Sequence, residues 1–384
     1  MRLRSLDGLR GIAAAIVVLH HSALLNPGVS AVYLTGAAPA SGTFAAIIIR
    51  TPLQLLFSGQ EAVLVFFVLS GLVVAIPALD TVGFPWIAYY PRRVVRLLLP
   101  VVASVLLAAI LILFTQRDPS TAVSGWAAEG TFAQLDWREL LRNFDVLGGS
   151  NLLNNPLWSL RYELLFSVLL PLYIVIAVVA RRRWWIAVVA TVPAILLGGL
   201  IGDGVWVYLP VFLLGTLAAV RREDLARFVD RVPHRARNVV GAGSLAVGLL
   251  LLDARWIGAA VRPGSATVQT IGGVASVYGA TLLVVLAMVW SPLVRALEVR
   301  FVAWLGRISF SLYLVHVPIL VATSSVMRGL PWYWSPVVGI PISIAVAVVF
   351  ARFVEGPSHR LSQRIGRAID ARFPVSTASG ARHG

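Results

Sequence analysis

Residues 6–22, LDGLRGIAAAIVVLHHS, decide the fold. The stretch opens with charge at Asp7 and Arg10, turns wholly apolar, and closes on His20 and His21. Read as a helix, Arg10 and His21 are eleven residues apart (21 − 10), about three turns and ~16 Å along the axis, so both point to nearly the same side. Arginine at one end of an apolar helix and a histidine pair at the other is the pattern of a membrane span with polar work at both ends. It lacks a small-residue cleavage site after the apolar run, so it reads as a retained helix rather than a removed leader.

The rest of the chain agrees with a bilayer as solvent. The 384 residues are 58% hydrophobic and only 13% charged, with a mean hydropathy of +0.85, against about 25% charged residues in soluble domains. Ten apolar runs near the bilayer length follow one another, at 9–25, 62–79, 97–114, 157–179, 184–201, 205–220, 239–252, 268–290, 301–321 and 332–350. The expected fold is therefore an all-α polytopic membrane protein of about ten transmembrane helices. Two longer connections carry extra elements. FAAIIIRTPLQLLF, 44–57, reads as a re-entrant or interfacial helix, and LDWRELLRNF, 135–144, as a short amphipathic stretch on the membrane surface.

Charge fixes the expected orientation. The net charge of +15 comes entirely from arginine, since no lysine occurs. With the N-terminus in the cytoplasm, the alternate connections holding Arg92, Arg93 and Arg96, Arg181–Arg183, the cluster from Arg221 to Arg237, and Arg295 with Arg300 all fall inside. Both termini are then cytoplasmic, and the protein belongs in the cell's inner (cytoplasmic) membrane as a multi-pass chain. The same distribution accounts for the basic excess without nucleic acid. The expected division is a membrane domain over 1–355 and a basic cytoplasmic tail over 356–384, partly disordered at its small-residue end. The absence of cysteine excludes disulfides, thiolate metal sites and a cysteine nucleophile. Arginine without lysine points to a GC-rich bacterial coding sequence.

An ionisable side chain in mid-membrane costs about 2.5–3.5 kcal/mol on insertion scales, so each needs a reason. On the expected topology His21, Glu163 and His316 lie in the outer half, while Arg10, Arg93 and Arg96 gather at the inner face. Guanidinium groups suit phosphates through paired, charge-assisted hydrogen bonds. A histidine in an apolar cavity suits general-base work on a hydroxyl, and a carboxylate beside it fixes the tautomer and stabilises the imidazolium. A ligand with phosphates at one end of a long arm and a reactive group at the other, an acyl-coenzyme A, matches that separation. Bland readings stand beside this one: topology anchoring for the arginines, helix–helix packing for His316, pairing with Arg161 for Glu163. A transporter or flippase of a glycan or acyl group uses the same residues as a relay, although no internal repeat marks one.

Six blocks carry a resemblance. LDGLRGIAAAIVVLHHS with its Arg10-x10-His21, GQEAVLVFFVLSGLVVA (59–75), YYPRRVVRLLLP (89–100), NPLWSLRYELLFSVLLPL (155–172), LGRISFSLYLVHVPIL (305–320) and FVEGPSHRL (353–361) occur in this order. Together they resemble acyltransferase family 3, the membrane O-acyltransferases of surface polysaccharides, lipopolysaccharide and antibiotics. The resemblance implies an acyl-coenzyme A co-substrate, usually acetyl, reached from the cytoplasm, with no permanently bound cofactor and no metal. It implies His21 as the catalytic histidine and Arg10, Arg93 and Arg96 as donor-site groups, and it places Glu163, His316, Ser309, Tyr313 and Glu355 in family blocks. Glu163 is expected to orient or balance the histidine. Ser70, Ser309, Tyr313 and His316 are expected to support the site or the acceptor, and the two serines are the hydroxyls available to carry an acyl group. The acceptor is expected to contain carbohydrate. His20 doubles the histidine, and Arg161 with Tyr162 departs from the block around Glu163. Some relatives carry an added esterase-like domain, which is not expected in this chain.

Overall fold

The computed structural model describes residues 4–115, 117–129, 135–148, 150–262 and 264–373, and helices are its only regular elements. The long helices are α1 (Arg4–Ala23), α2 (Gly59–Asp80), α3 (Trp86–Phe114), α4 (Leu157–Val179), α5 (Trp184–Ile201), α6 (Gly204–Val220), α7 (His234–Leu252), α8 (Ala266–Val289), α9 (Arg300–Val326), α10 (Trp334–Phe350) and α11 (Gly356–Arg372). Each of the ten apolar runs falls on one of the first ten. By length and apolarity, seven stretches can cross a membrane, and up to nine if each of two bent pairs is one span. The chain reads as a multi-pass membrane protein, but that count falls short of ten for physical reasons. Helix α1 qualifies only together with the segment Pro27–Thr35, bent from it by 102°, because Arg4, Asp7, Arg10 and the histidines dilute its apolar length. Helix α6, of 17 residues, qualifies only with Arg222–Arg231. Helices α4 and α5 form one stretch, Leu157–Ile201, broken by the turn Ala180–Arg183. Tyr162, near the start of that stretch, reaches Gly204 just past its end, so the chain reverses at the arginines.

Helix α1 and helix α9 form the spine. A Cβ placed on Gly11 would stand 2.5 Å from the Gly306 nitrogen, and one on Gly306 would stand 2.2 Å from the Asp7 carbonyl oxygen. Only glycine lets the backbones approach so closely, which is how helices associate where lipid supplies no hydrophobic drive. The contact sets a parallel register: Gly306 lies 295 residues after Gly11 (306 − 11), and His316 lies 295 after His21 (316 − 21).

Beyond His21 the chain leaves the bundle axis. Asn26 caps the segment Pro27–Thr35, its side-chain oxygen accepting from the Val29 N–H at 3.0 Å, and Pro27 starts the new helix at the position where a missing N–H is harmless. Ser124 donates to the Leu24 carbonyl (2.8 Å), and the Trp126 N–H donates to Ser30 (2.8 Å). The two long connections thus form a lid of short helices over the histidine end, so 44–57 is part of that cover. The helix Trp137–Phe144 exposes Trp137 and Leu141 while burying Glu139 and Asn143.

At the other end the ion pairs collect. Asp224 joins Arg221 (3.0 Å), Arg227 and Arg181 (4.0 Å), Asp80 joins Arg222, and Asp370 joins Arg92. These are the arginine-rich connections of the sequence, brought to one end of the bundle. The part of the expected tail over Gly356–Arg372 is helix α11, seated on α3 through the bond from Ser358 to the Val95 carbonyl (3.0 Å). Residues 374–384 lie outside the described residues.

Candidate active site

Helices α1 and α9 bring two imidazoles together in the core. His316 has no exposed surface and His21 is 8% exposed. His316 Nδ1 lies 3.0 Å from the Leu312 carbonyl oxygen, its Nε2 lies 3.0 Å from His21 Nδ1, and His21 Nδ1 also lies 3.0 Å from the Val17 carbonyl oxygen. Carbonyl oxygens only accept, so His316 carries its hydrogen on Nδ1 and presents a lone pair at Nε2. His21 then carries its hydrogen on Nδ1, shared between Val17 and His316, and its Nε2 is left with a lone pair. Both nitrogens of His316 are spent; His21 is the base-competent member. Asn155 reaches the His21 ring with its side chain, and Trp126 covers it at 5.4 Å between centroids. His20 turns away: its Nδ1 donates to the Phe57 carbonyl at 2.8 Å, and its ring meets His21 edge-on at 5.1 Å.

The second level lies toward the start of α1. Arg10 Nε donates to Ser309 Oγ at 3.1 Å, and Ser309 donates on to the Gly306 carbonyl at 2.8 Å. Arg93 forms an ion pair with Glu163 at 2.6 Å and donates to Ser167 at 3.0 Å. Ser70 adds a 3.4 Å hydrogen bond to the same Glu163 oxygen. Arg96 is exposed, stands within electrostatic reach of Arg10, Arg93, Glu163 and Glu355, and makes no hydrogen bond or ion pair among the described residues. Glu355, at the end of a π-helical turn, accepts from Ser311 at 2.6 Å. The three arginines expected at one level are therefore together, with Arg96 uncommitted.

Glu163 is where the geometry departs from the sequence reading. It joins Arg93, not His21. The residue of that segment at the level of His21 is Asn155, and Glu163 comes eight residues later, about two helical turns further along. A partly buried carboxylate also gains far more from a guanidinium than from a neutral imidazole. Ser70 and Ser309 belong to this arginine level as well, Ser70 bonded to Glu163 and Ser309 to Arg10, and neither hydroxyl bonds a histidine. Tyr313 hydrogen-bonds Ser159 (2.7 Å) and the Pro156 carbonyl (3.1 Å); it anchors the start of α4, two residues after Asn155. Sequence reasoning passed over Asn155 and Trp126. The only signal for the first is a polar pair before a proline, NNP; the second depends on the lid. Among the described residues no group of three histidine or acidic side chains is arranged to hold a metal.

A hydrogen-bonded histidine pair thus joins α1 to α9, and a separate arginine group gathers Arg10 of α1 with Arg93 and Arg96 of α3. Residues 3–352 match the model of the third acyltransferase family, described as an acyltransferase domain, and the chain belongs to that family. It is 24% identical over 318 residues to YrhL of Bacillus subtilis (strain 168), named a candidate peptidoglycan O-acetyltransferase; the match covers 76% of this chain and 49% of that protein. It is 26% identical over 373 residues to the O-acetyltransferase PaAT-1 of Phomopsis amygdali, covering 82% of this chain and 71% of that one. The chain thus spans about half the length of the first of these relatives. No solved structure matches it.

Proposed function

We propose that this acyltransferase moves an acyl group, acetyl by analogy with its relatives, from acyl-coenzyme A to a hydroxyl of a carbohydrate-containing acceptor, working in the cytoplasmic membrane with both termini inside. The observation that carries the reading is the buried histidine pair, with a lone pair on His21 Nε2, on the same helix as Arg10. In this reading Arg10, Arg93 and the uncommitted Arg96 receive the phosphates of the donor, and its pantetheine arm runs along α1 toward the histidines. His21 Nε2 takes the proton of the acceptor hydroxyl as the oxygen attacks the thioester carbonyl. The C–S bond then breaks, and the departing thiolate takes the proton back from the imidazolium. His316 supports that charge by accepting from His21 Nδ1. Glu163 serves by holding Arg93 in place rather than by touching His21.

The test is transfer of label from radiolabelled acetyl-coenzyme A in membranes bearing the wild type or His21→Ala, with protein, lipid, glycan and small-molecule pools separated. Label in a glycan or small-molecule pool that is lost in the variant is the expected result. Substrate movement with no histidine-dependent label in any pool would overturn the reading in favour of transport.

A further inference from the structure

One polar cluster is not used by the transfer chemistry above. Gln60 and Glu61, in the first turn of α2, face Arg255 on the short helix Ala254–Val261. Arg255 bonds the Gln60 side-chain oxygen, and its Nε donates to Gln269 at 3.0 Å. Gln60 in turn donates to the Tyr208 hydroxyl at 3.3 Å. Arg255 forms no ion pair among the described residues, although His20, Tyr33 and Glu61 lie within its electrostatic reach. Glu61 is only 1% exposed and is met by the Trp256 side chain.

Against this polar edge stands a pad of aromatic rings. Tyr208 packs on Trp158 (5.2 Å between centroids) and on Tyr162 (4.8 Å), and Trp158 meets Tyr162 at 6.1 Å. All three rings are partly exposed. Trp158 comes three residues after Asn155, whose side chain reaches His21, so the pad begins about one helical turn from the base. The cluster meets the histidines from a second side through His20, whose ring lies 5.4 Å from Tyr33.

We infer that Trp158, Tyr162 and Tyr208, edged by Gln60 and Arg255 with Glu61 buried behind them, form the acceptor subsite, and that its ligand is a pyranose ring. A pyranose has an apolar C–H face, which suits an aromatic pad, and a rim of hydroxyls that both donate and accept. The rim matches the Gln60 amide and the Arg255 guanidinium, both partly exposed and held by neutral partners. A simple fatty or aromatic alcohol would leave that polar edge unanswered. The assignment rests on the acyl-transfer reading given above and adds to it which residues choose the acceptor.

The test uses purified full-length protein, radiolabelled acetyl-coenzyme A, and chitotetraose and cellotetraose as probes. Hydrolysis of acetyl-coenzyme A by the wild type, lost in His21→Ala, reports the donor half without any sugar. Transfer to at least one probe is expected, with KM for that sugar raised about tenfold in Gln60→Ala and more in Tyr208→Ala, while Tyr208→Phe, which keeps the ring, stays closer to wild type. A wild type that hydrolyses the donor but acetylates neither sugar overturns the subsite, as does an unchanged sugar KM in both alanine variants. A wild type that neither hydrolyses nor transfers overturns the acyl-transfer reading instead.

Discussion

Replacing His316 by leucine isolates the support that the second imidazole gives the first. Leucine is apolar and of similar size, so a residue with no exposed surface is exchanged without opening a large cavity. What disappears is the lone pair, 3.0 Å away, that shares the His21 Nδ1 hydrogen with Val17. Val17 still holds the tautomer, so the variant keeps a base with an open Nε2. The loss falls on the imidazolium formed in the transition state. A neutral hydrogen bond contributes about 0.5–1.5 kcal/mol net, and one to a charged group about 1.5–3 kcal/mol. The difference, roughly 1–1.5 kcal/mol, is realised only when His21 is charged, which corresponds to about tenfold in kcat. His316→Gln, whose amide oxygen can accept in place of Nε2, is expected to recover much of that factor. His21→Ala loses general-base catalysis itself, about 10²–10⁴-fold. The assay is acetyl-coenzyme A turnover by the three variants at matched folded amounts. An unchanged kcat in His316→Leu, or a loss as large as that of His21→Ala, would refute the reasoning: the first leaves His316 without a part, and the second makes it the proton carrier.

Two further outcomes follow from the geometry. Glu163→Gln breaks the ion pair with Arg93; KM for acetyl-coenzyme A is expected to rise about tenfold, a single charged contact's worth, while the pH profile of kcat stays in place, and a shifted profile would return Glu163 to the histidine. Asp253, between α7 and the following short helix, has its carboxyl pushed up to about 6 from 3.8, by burial first and by Glu61 second. Because the folded state holds the proton more tightly, stability falls as pH rises from about 4 to 6 and stays reduced above that. Asp253→Asn should therefore raise the melting temperature in detergent at pH 7.5 and much less at pH 4.5, and an equal gain at both pH values would show that charge is not the cause.

Much of the fold is legible because bilayer length and helical rise leave few options. All ten apolar runs are helices, and the spacing of Arg10 and His21 within one helix needs no tertiary information. The family blocks likewise mark His316, since a histidine deep in an apolar helix needs a partner. Glu163 pairs with Arg93 rather than with the histidine because its depth depends on where α4 starts relative to α1, and nothing local to the segment fixes that. Tyr313 does so from another helix, by holding Pro156 and Ser159. Asn155 and Trp126 were invisible for a related reason: each reaches His21 through a connection whose course is set by contacts with distant residues, such as the bond from Ser124 to Leu24. The Gln60–Arg255 contact spans 195 positions in sequence, and neither residue stands out in its own segment. The count of spans was misleading where helices are short, bent or diluted by charge, because a hydropathy run does not distinguish a straight crossing from a helix that turns aside at Asn26.

The residues proposed for the chemistry also hold the spine, and this explains why the two levels keep their distance. In lipid, α1 and α9 gain little from burying apolar surface against each other; close backbone contact and interhelical hydrogen bonds must fix them. The glycine contact sits one residue from Arg10, and two polar ties cross the same interface, Arg10 to Ser309 and His21 to His316. A slide of one helix along the other breaks both ties and drives glycine against backbone. A rotation about the glycine contact carries the histidines apart. The spacing between the cationic recess and the open imidazole nitrogen is therefore set by helical rise inside one rigid element and locked by its parallel neighbour. On the proposed reading, a donor held by its phosphates at the arginines would meet the base at a distance that depends little on substrate-induced movement, the condition under which positioning contributes most to rate.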